Sequence, residues 1–150
     1  QDPNGAYAAV IPKWIQAMLS DEKVIINGDG STSRDFCFIE NVVQANILAA
    51  TASFDQAEIF NVAVGDRTDL VQLFEMIRDG LAQRSENPDT YRSKQPIHKE
   101  FRAGDVLHSQ ASIEKIKQAL GYEATVSVLE GIRATCDWFA TSSPKPSDTV

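Results

Sequence analysis

Apolar residues recur at helical spacing along several stretches of this chain, with short apolar runs between them. The first helix is predicted from about Ala6 to Leu19, with Pro12 marking a kink or a late start. Val24-Ile25-Ile26 is a short apolar run closed by Asn27-Gly28-Asp29-Gly30, a strong turn signal. Asp35 to Ile39 reads as a strand or extended segment. Glu40 to Thr51 follows as a helix, with Val43, Ile47 and Ala50 in helical register. Glu58 to Val64 reads as a buried strand. Thr68 is expected to cap a helix whose apolar stripe is Leu70, Leu73, Phe74 and Ile77.

Residues 84–96 are polar and carry Asn87-Pro88 and Gln95-Pro96, which predicts a mobile loop. Ile97 to Phe101 reads as a strand. Ser112 to Leu120 reads as a short helix closed by Gly121 at C′. Ser127-Val128-Leu129-Glu130 has the form of a capping box. It opens a last helix to about Ala140, with Leu129, Ile132, Cys136 and Phe139 on the inner face. Thr141 to Val150 is expected to be a disordered tail. Strands separated by helices place the chain in the α/β class.

Charge narrows the ligands. The net charge is −7 and the isoelectric point about 4.7, which argues against a general nucleic-acid or anionic-membrane surface. A small anion is still allowed, because a few aimed arginines outweigh a distant acidic surface. No apolar window is long enough for a membrane span. The chain opens on the polar, turn-like Gln1 to Gly5, without a signal peptide and without Met, as an excerpt or a processed product would. Cys37 and Cys136 lack metal-ligand spacing and read as reduced core thiols, in keeping with a cytoplasmic location.

Several catalytic signatures are missing. Gly28-Asp29-Gly30 begins a dinucleotide fingerprint, but Ser33 stands where the third glycine belongs, so a polar turn is the better reading. None of Tyr7, Tyr91 and Tyr122 is followed four residues later by Lys. His98 and His108 have no partner base or nucleophile nearby in sequence. Three charged clusters remain: Gly28 to Phe36, Gly65-Asp66-Arg67-Thr68, and Arg102-Ala103-Gly104-Asp105 continuing to His108 and Ser109. Each sits in a loop or at an element end, where ligand contacts concentrate. Arginine suits phosphate through its bidentate fork, and a carboxylate suits ribose hydroxyls. Taken singly, each cluster reads first as surface ion pairing, Arg34 with Asp35 for instance.

Taken in order, the clusters resemble the extended short-chain dehydrogenase/reductase family of nucleotide-sugar epimerases. The order is a Pro12-Lys13-Trp14 helix, then Gly28-Asp29-Gly30 to Arg34-Asp35-Phe36, then a helix. Asn61 to Gly65 follows, then Arg102-x-Gly104-Asp105, then Glu130-Gly131-Ile132 with Trp138 in the last helix. The likeness covers residues 1–140 and is nearest to bacterial UDP-N-acetylglucosamine 4-epimerases. Leu107 departs from it, standing where those relatives usually carry a basic residue.

The resemblance implies the C-terminal, substrate-binding part of a Rossmann-type enzyme, with NAD and the catalytic Tyr/Lys pair held by a missing half. The elements at 40–51 and 59–64 would pack on that half. It implies that Gln1, Ala9 and Val10 lie near the sugar and uracil, and that Val24, Ile25 and Asn27 line the uracil slot. Val10, Val24 and Ile25 read equally well as core. It implies Arg34 and Arg102 on the diphosphate, Arg67 as a further pocket arginine and Asp105 on the ribose. Ser109 would stand at the position that closes the sugar pocket; the lesser alternative is that it caps the helix near Ser112.

The implied partners are UDP-N-acetylglucosamine and UDP-N-acetylgalactosamine, or their uronic acids, in surface polysaccharide synthesis by a homodimer. The implied reaction removes hydride from C4 to NAD⁺, lets the keto sugar turn, and returns hydride to the other face. A uronic acid epimerase, a dehydratase, a decarboxylase or a non-catalytic nucleotide-sugar-binding relative remains open.

Overall fold

A computed structural model describes residues 9–101 and 104–142. The elements run α1 (Val10–Leu19), β1 (Ile25–Asn27), β2 (Ser33–Arg34), α2 (Ile39–Thr51), β3 (Thr68–Asp69) and α3 (Leu70–Arg84). They continue with α4 (Asp89–Arg92), β4 (Ile97–Lys99), α5 (Glu114–Leu120) and α6 (Val128–Ser142). Two small ladders link distant parts of the chain. β1 runs parallel to β4, with Ile25 opposite Ile97 and Asn27 opposite Lys99. β2 runs antiparallel to β3, with Ser33 opposite Asp69 and Arg34 opposite Thr68.

The larger core lies between α1, α3 and α6 and closes on β1. Ile15 and Met18 of α1, Leu73 and Ile77 of α3, and Ile132 and Cys136 of α6 meet Ile26 there. A second cluster joins α2 to α5 through Ala45, Ala63, Ile113, Ile116 and Tyr122. Burial pushes the Cys136 thiol up to about 12, with neighbouring Asp137 adding to it, so this cysteine is an inert core side chain. Cys37 is free and half-buried, and its thiol is also raised by burial.

Several local expectations change. α1 starts at Val10, after an extended Ala9; residues 6–8 of the expected helix lie outside the described residues. Pro12 falls in its first turn, where the missing N–H has no helical partner to lose. The cap of α3 is Asp69, not Thr68: its carboxylate accepts from the Gln72 N–H at 2.8 Å, and Gln72 answers with Oε1 accepting from the Asp69 N–H at 3.1 Å. Within 84–96, Asp89–Arg92 forms a helical turn packed beside α3, so this segment is not simply loop. The Ser127–Glu130 capping box forms, with Ser127 N–H donating to Glu130 at 2.9 Å. Leu129, however, points outward, and Gly131 takes its place on the inner face. α6 also continues through Ser142, into the expected tail; residues 143–150 lie outside the described residues.

The main correction concerns Glu58 to Val64. The segment is not in a strand, and Ile59 is 86% exposed; only Ala63 of the run is buried. A strand needs a neighbour for its N–H and C=O groups, and the described residues place none beside it. α2 shows the same pattern. Asn41 and Ala45 face inward, while Ile39, Val43 and Ile47, one helix face at i, i+4 and i+8, are exposed.

Asn41 anchors α2. Fully buried, it donates to Val126 O at 2.8 Å and accepts from the Thr125 and Val126 N–H groups at 3.0 Å each. Asn41→Ala strands these main-chain groups away from water. It should cost about 3 kcal/mol, read as a lower urea midpoint at unchanged m-value.

Candidate functional site

β1 builds one wall of a cleft. Successive strand side chains point to opposite faces, so Val24 and Ile26 enter the core while Ile25 and Asn27 face outward. Main-chain bonds to β4 hold the strand: Ile97 N–H to Val24 O and Gly28 N–H to Lys99 O, both 2.8 Å. His98 Nδ1 lies 2.8 Å from Gly28 O and fixes the following turn. The turn ends where Leu70 N–H donates to Gly30 O and Thr32 O, which seats the start of α3 beside β2.

β2 carries Arg34 into the cleft. One of its guanidinium nitrogens, Nη1, donates to Ser33 O at 2.8 Å and reaches Leu107 O at 3.5 Å. The expected Arg34–Asp35 surface pair is not what the carboxylate does. Asp35 accepts from the main-chain N–H groups of Val64 (3.1 Å), Gly65 (3.1 Å) and Ala111 (3.4 Å). It therefore ties three segments together. Beside it, burial, with Cys37 nearby, pushes the Tyr122 hydroxyl up to about 12; it donates to Ala63 O at 2.9 Å and is structural.

The cleft has a volume of about 340 Å³, within the range of small-molecule sites. Val10, Ile25, Phe36 and Leu70 give it an apolar wall, and Asn27 adds an amide that can donate and accept. Lys13 and Arg34 supply positive charge, and Asp105 a carboxylate. A flat ring on the apolar wall, an anion at the cations and hydroxyls at Asp105 would each meet suitable chemistry.

Val10, Ile25, Asn27, Arg34 and Asp105 thus come together as the sequence suggested. Val24 does not: its side chain is core, by the alternation of β1. Ala9 lies in an adjoining apolar hollow of about 290 Å³ with Pro12, Phe36 and Ile132. Arg67 lines a separate hollow of about 470 Å³ with Gln72, Glu75 and Arg133. Ser109 is exposed and is held to β2 through its N–H, which donates to Ser33 O at 3.1 Å. Gln1 and Arg102 lie outside the described residues. Lys13 is the charged cleft residue that the sequence did not put forward for the site. The signal was available, since Lys13 stands three residues after Val10 and so shares its helix face. Trp14 packs in the core: it is buried, with its ring edge-on to Phe74 at 6.4 Å.

The Gly28–Gly30 turn does not fit a dinucleotide pyrophosphate. A cradle needs open space over its glycines. A Cβ on Gly28 would run into the Phe101 ring, and one on Gly30 into Val71. No group of three or more acidic, His or Cys side chains arranged for a metal occurs among the described residues, and no helix there is long and apolar enough to cross a membrane.

Asp35→Ala removes two or more charge-assisted hydrogen bonds at once. A loss of about 3 kcal/mol is expected in urea titrations, against a much smaller loss for Arg34→Ala.

Comparison with known proteins follows the same lines. Residues 1–63 match the family model described as "NAD dependent epimerase/dehydratase family". The chain is 32% identical over 138 residues to a putative UDP-glucose 4-epimerase of Methanocaldococcus jannaschii, covering 92% of this chain and 41% of that protein. Among solved structures it is similar to a UDP-glucose 4-epimerase of Thermotoga maritima with UDP-glucose. That match has a TM-score of 0.80 at 35% identity, over 94% of this chain and 42% of that one. It is also similar to a UDP-N-acetylglucosamine 4-epimerase of Methanobrevibacter ruminantium in complex with UDP-N-acetylmuramic acid. There the TM-score is 0.79 at 35% identity, over 95% and 43% of the two chains. The chain spans about two fifths of the length of these relatives.

Proposed function

We propose, from the premise that the chain belongs to the NAD-dependent epimerase/dehydratase family, that it is the C-terminal, nucleotide-sugar-binding part of a UDP-sugar 4-epimerase. The observation that carries this reading is the meeting of Asn27, Arg34, Lys13 and Asp105 in one cleft with an apolar wall. Uracil lies against Ile25 and Val10 and is read by the Asn27 amide. Arg34, with Arg102 and Lys13, neutralises the diphosphate. Asp105 accepts from the ribose hydroxyls. Relatives with UDP-glucose and UDP-N-acetylmuramic acid in their structures support a UDP-sugar ligand.

These residues hold and orient; none of them is placed to move the C4 proton. NAD and the catalytic base belong to another part of the protein. The exposed face of Ile39, Val43 and Ile47 on α2, and the unpaired segment around Ile59, are the surfaces that pack on that part. Holding the UDP end firmly while leaving the hexose loose lets one site take both epimers, since each then loses little binding energy.

Titration of UDP by calorimetry tests the reading. Arg34→Ala should weaken UDP binding by about 1.5–3 kcal/mol, the range for hydrogen bonds to charged groups. Unchanged affinity in a folded variant would return Arg34 to the surface cations. The 150-residue chain supplied with a UDP-hexose and NAD⁺ should produce no epimer, and turnover that tracks the chain would refute the division of labour.

For the sugar we propose an N-acetylhexosamine. Ser109 is small and exposed, and the resemblance to the family puts it where a bulky side chain would fill the space an acetamido group needs. In the intact protein, Ser109→Tyr should cut kcat/KM for UDP-N-acetylglucosamine at least about tenfold, a loss of about 1.4 kcal/mol or more, while any UDP-galactose activity persists. Equal losses on both substrates would remove the gate.

A further inference from the structure

Asp105 reaches the cleft at the end of a segment that is fastened further along. Among the described residues, the hydrogen bonds nearest Asp105 along the chain are those at Leu107, two residues on, whereas the nearest on the other side is at Lys99, six residues back. Val106 and Leu107 are exposed, and Gly104 turns the chain with φ +84°. What sets the direction of Asp105 is therefore the fastening at 107–109. That fastening converges on one residue of β2. Ser33 N–H donates to Leu107 O at 2.9 Å, and Ser33 O accepts from Ser109 N–H at 3.1 Å. Ser33 and His108 thereby form an isolated parallel bridge.

Gln110 Nε2 to Gly65 O at 2.6 Å and Ala111 N–H to Asp35 at 3.4 Å hold the far end of the segment, and the two main-chain bonds to Ser33, with Arg34 reaching Leu107 O at 3.5 Å, hold the end nearer Asp105. One side-chain bond is added at that nearer end: Ser33 Oγ and His108 Nδ1 lie 2.9 Å apart. Ser33 is buried and His108 exposed, so the bond is sheltered on its Ser33 side. His108 stands three residues from Asp105, and Ser33 is the chain neighbour of Arg34. One side-chain bond thus joins the strand that presents the cation to the segment that presents the carboxylate.

We infer that His108, through its hydrogen bond to Ser33, is a positioning residue that aims Asp105 at the ribose hydroxyls of the bound nucleotide. The inference rests on the UDP reading of the cleft. It assigns His108 no proton transfer; the imidazole acts as a strut. A group misdirected by about an ångström loses much of a hydrogen bond, whose strength falls steeply with distance and angle. The effect of the strut should therefore appear only with ligands that carry the hydroxyls.

The test compares UDP with 2′,3′-dideoxy-UDP, by calorimetry on the intact protein. Wild type should prefer UDP at least tenfold, as expected for a hydrogen bond to a carboxylate. His108→Ala should reduce the preference to threefold or less, while affinity for the dideoxy ligand changes by less than twofold. Ser33→Ala keeps every main-chain bond and should give the same result, with no further loss in the double variant. His108→Asn places an amide atom near the position of Nδ1, able to donate or accept, and should restore most of the preference. A full preference retained in His108→Ala or Ser33→Ala overturns the inference and leaves the UDP reading intact. So does an equal loss for both ligands, which is what general loosening of the fold would give, or failure of Asn to restore. If wild type binds UDP but does not prefer it to the dideoxy ligand, Asp105 does not read the ribose and the inference falls. If wild type does not bind UDP, the reading of the cleft falls as well.

Discussion

The arrangement of the cleft depends on how the carboxylate of Asp35 is satisfied. Three main-chain N–H groups, from Val64, Gly65 and Ala111, converge on its two oxygens. None of these segments is held in a long ladder, because the sheets among the described residues are two-stranded and two or three residues long. Side chains must do what a wide sheet does elsewhere. A charged acceptor suits the task, since its hydrogen bonds are stronger than those between neutral groups. With Asp35 engaged in this way, neighbouring Arg34 has no carboxylate partner in that direction. Its guanidinium leans on the carbonyls of Ser33 and Leu107 instead and remains in the cleft. A guanidinium held by carbonyls keeps its full charge, and an anion can still approach its remaining N–H groups.

Asn41 performs the same service for the second cluster, fixing α2 to residues 125–126. The two hubs are six residues apart in sequence and stand on either side of the step from β2 into α2. On the inner side of that step lies the cleft, and beyond it the apolar face of α2. Opposed requirements are therefore met within a short stretch. The cleft needs polar side chains held in fixed directions, whereas the face of Ile39, Val43 and Ile47 needs only regular helical spacing. An amide and a carboxylate that bond to main chain allow both, because neither depends on packing from the apolar face.

Much of this was legible. Helices with strong periodicity, such as α3 and α6, follow from the spacing of Leu73, Phe74 and Ile77, and of Ile132, Cys136 and Phe139, with the Ser127–Glu130 capping box marking the start of α6 and the cap of α3 expected one residue early, at Thr68. The five cleft residues Val10, Ile25, Asn27, Arg34 and Asp105 came from resemblance rather than from spacing, since no periodicity links residues so far apart. What failed did so for a common reason. Glu58 to Val64 has the composition of a buried strand, but composition reports a preference for burial and not the presence of a neighbour to supply it. Val24 and Ile25 are equally apolar, and only the register of β1 against β4 decides which of them faces the cleft. The role of Asp35 was invisible because its partners are main-chain groups, which leave no mark in a sequence. Leu129 was assigned inward on spacing alone, although the small Gly131 is the residue that lets Phe38 lie close against α6.

The charge of the chain and the charge of the cleft pull in opposite directions, and range decides between them. A net charge of −7 spread over the surface is screened within a Debye length of about 8–10 Å at ordinary ionic strength. On the proposed reading, Lys13 and Arg34 act on the diphosphate from contact distance, where screening is weak and the surrounding wall of Val10, Ile25, Phe36 and Leu70 lowers the local dielectric. A small anion in the cleft then meets these two cations and the Asp105 carboxylate before it meets the acidic surface. An extended polyanion cannot enter far enough to exchange the acidic surface for those cations, and so meets mainly the surface. An acidic chain and a small anionic ligand are thus compatible, provided that the cations are few and convergent. The zipping of residues 107–111 along β2 and Asp35 brings Arg34 and Asp105 to one cleft, and α1 brings Lys13 to its rim.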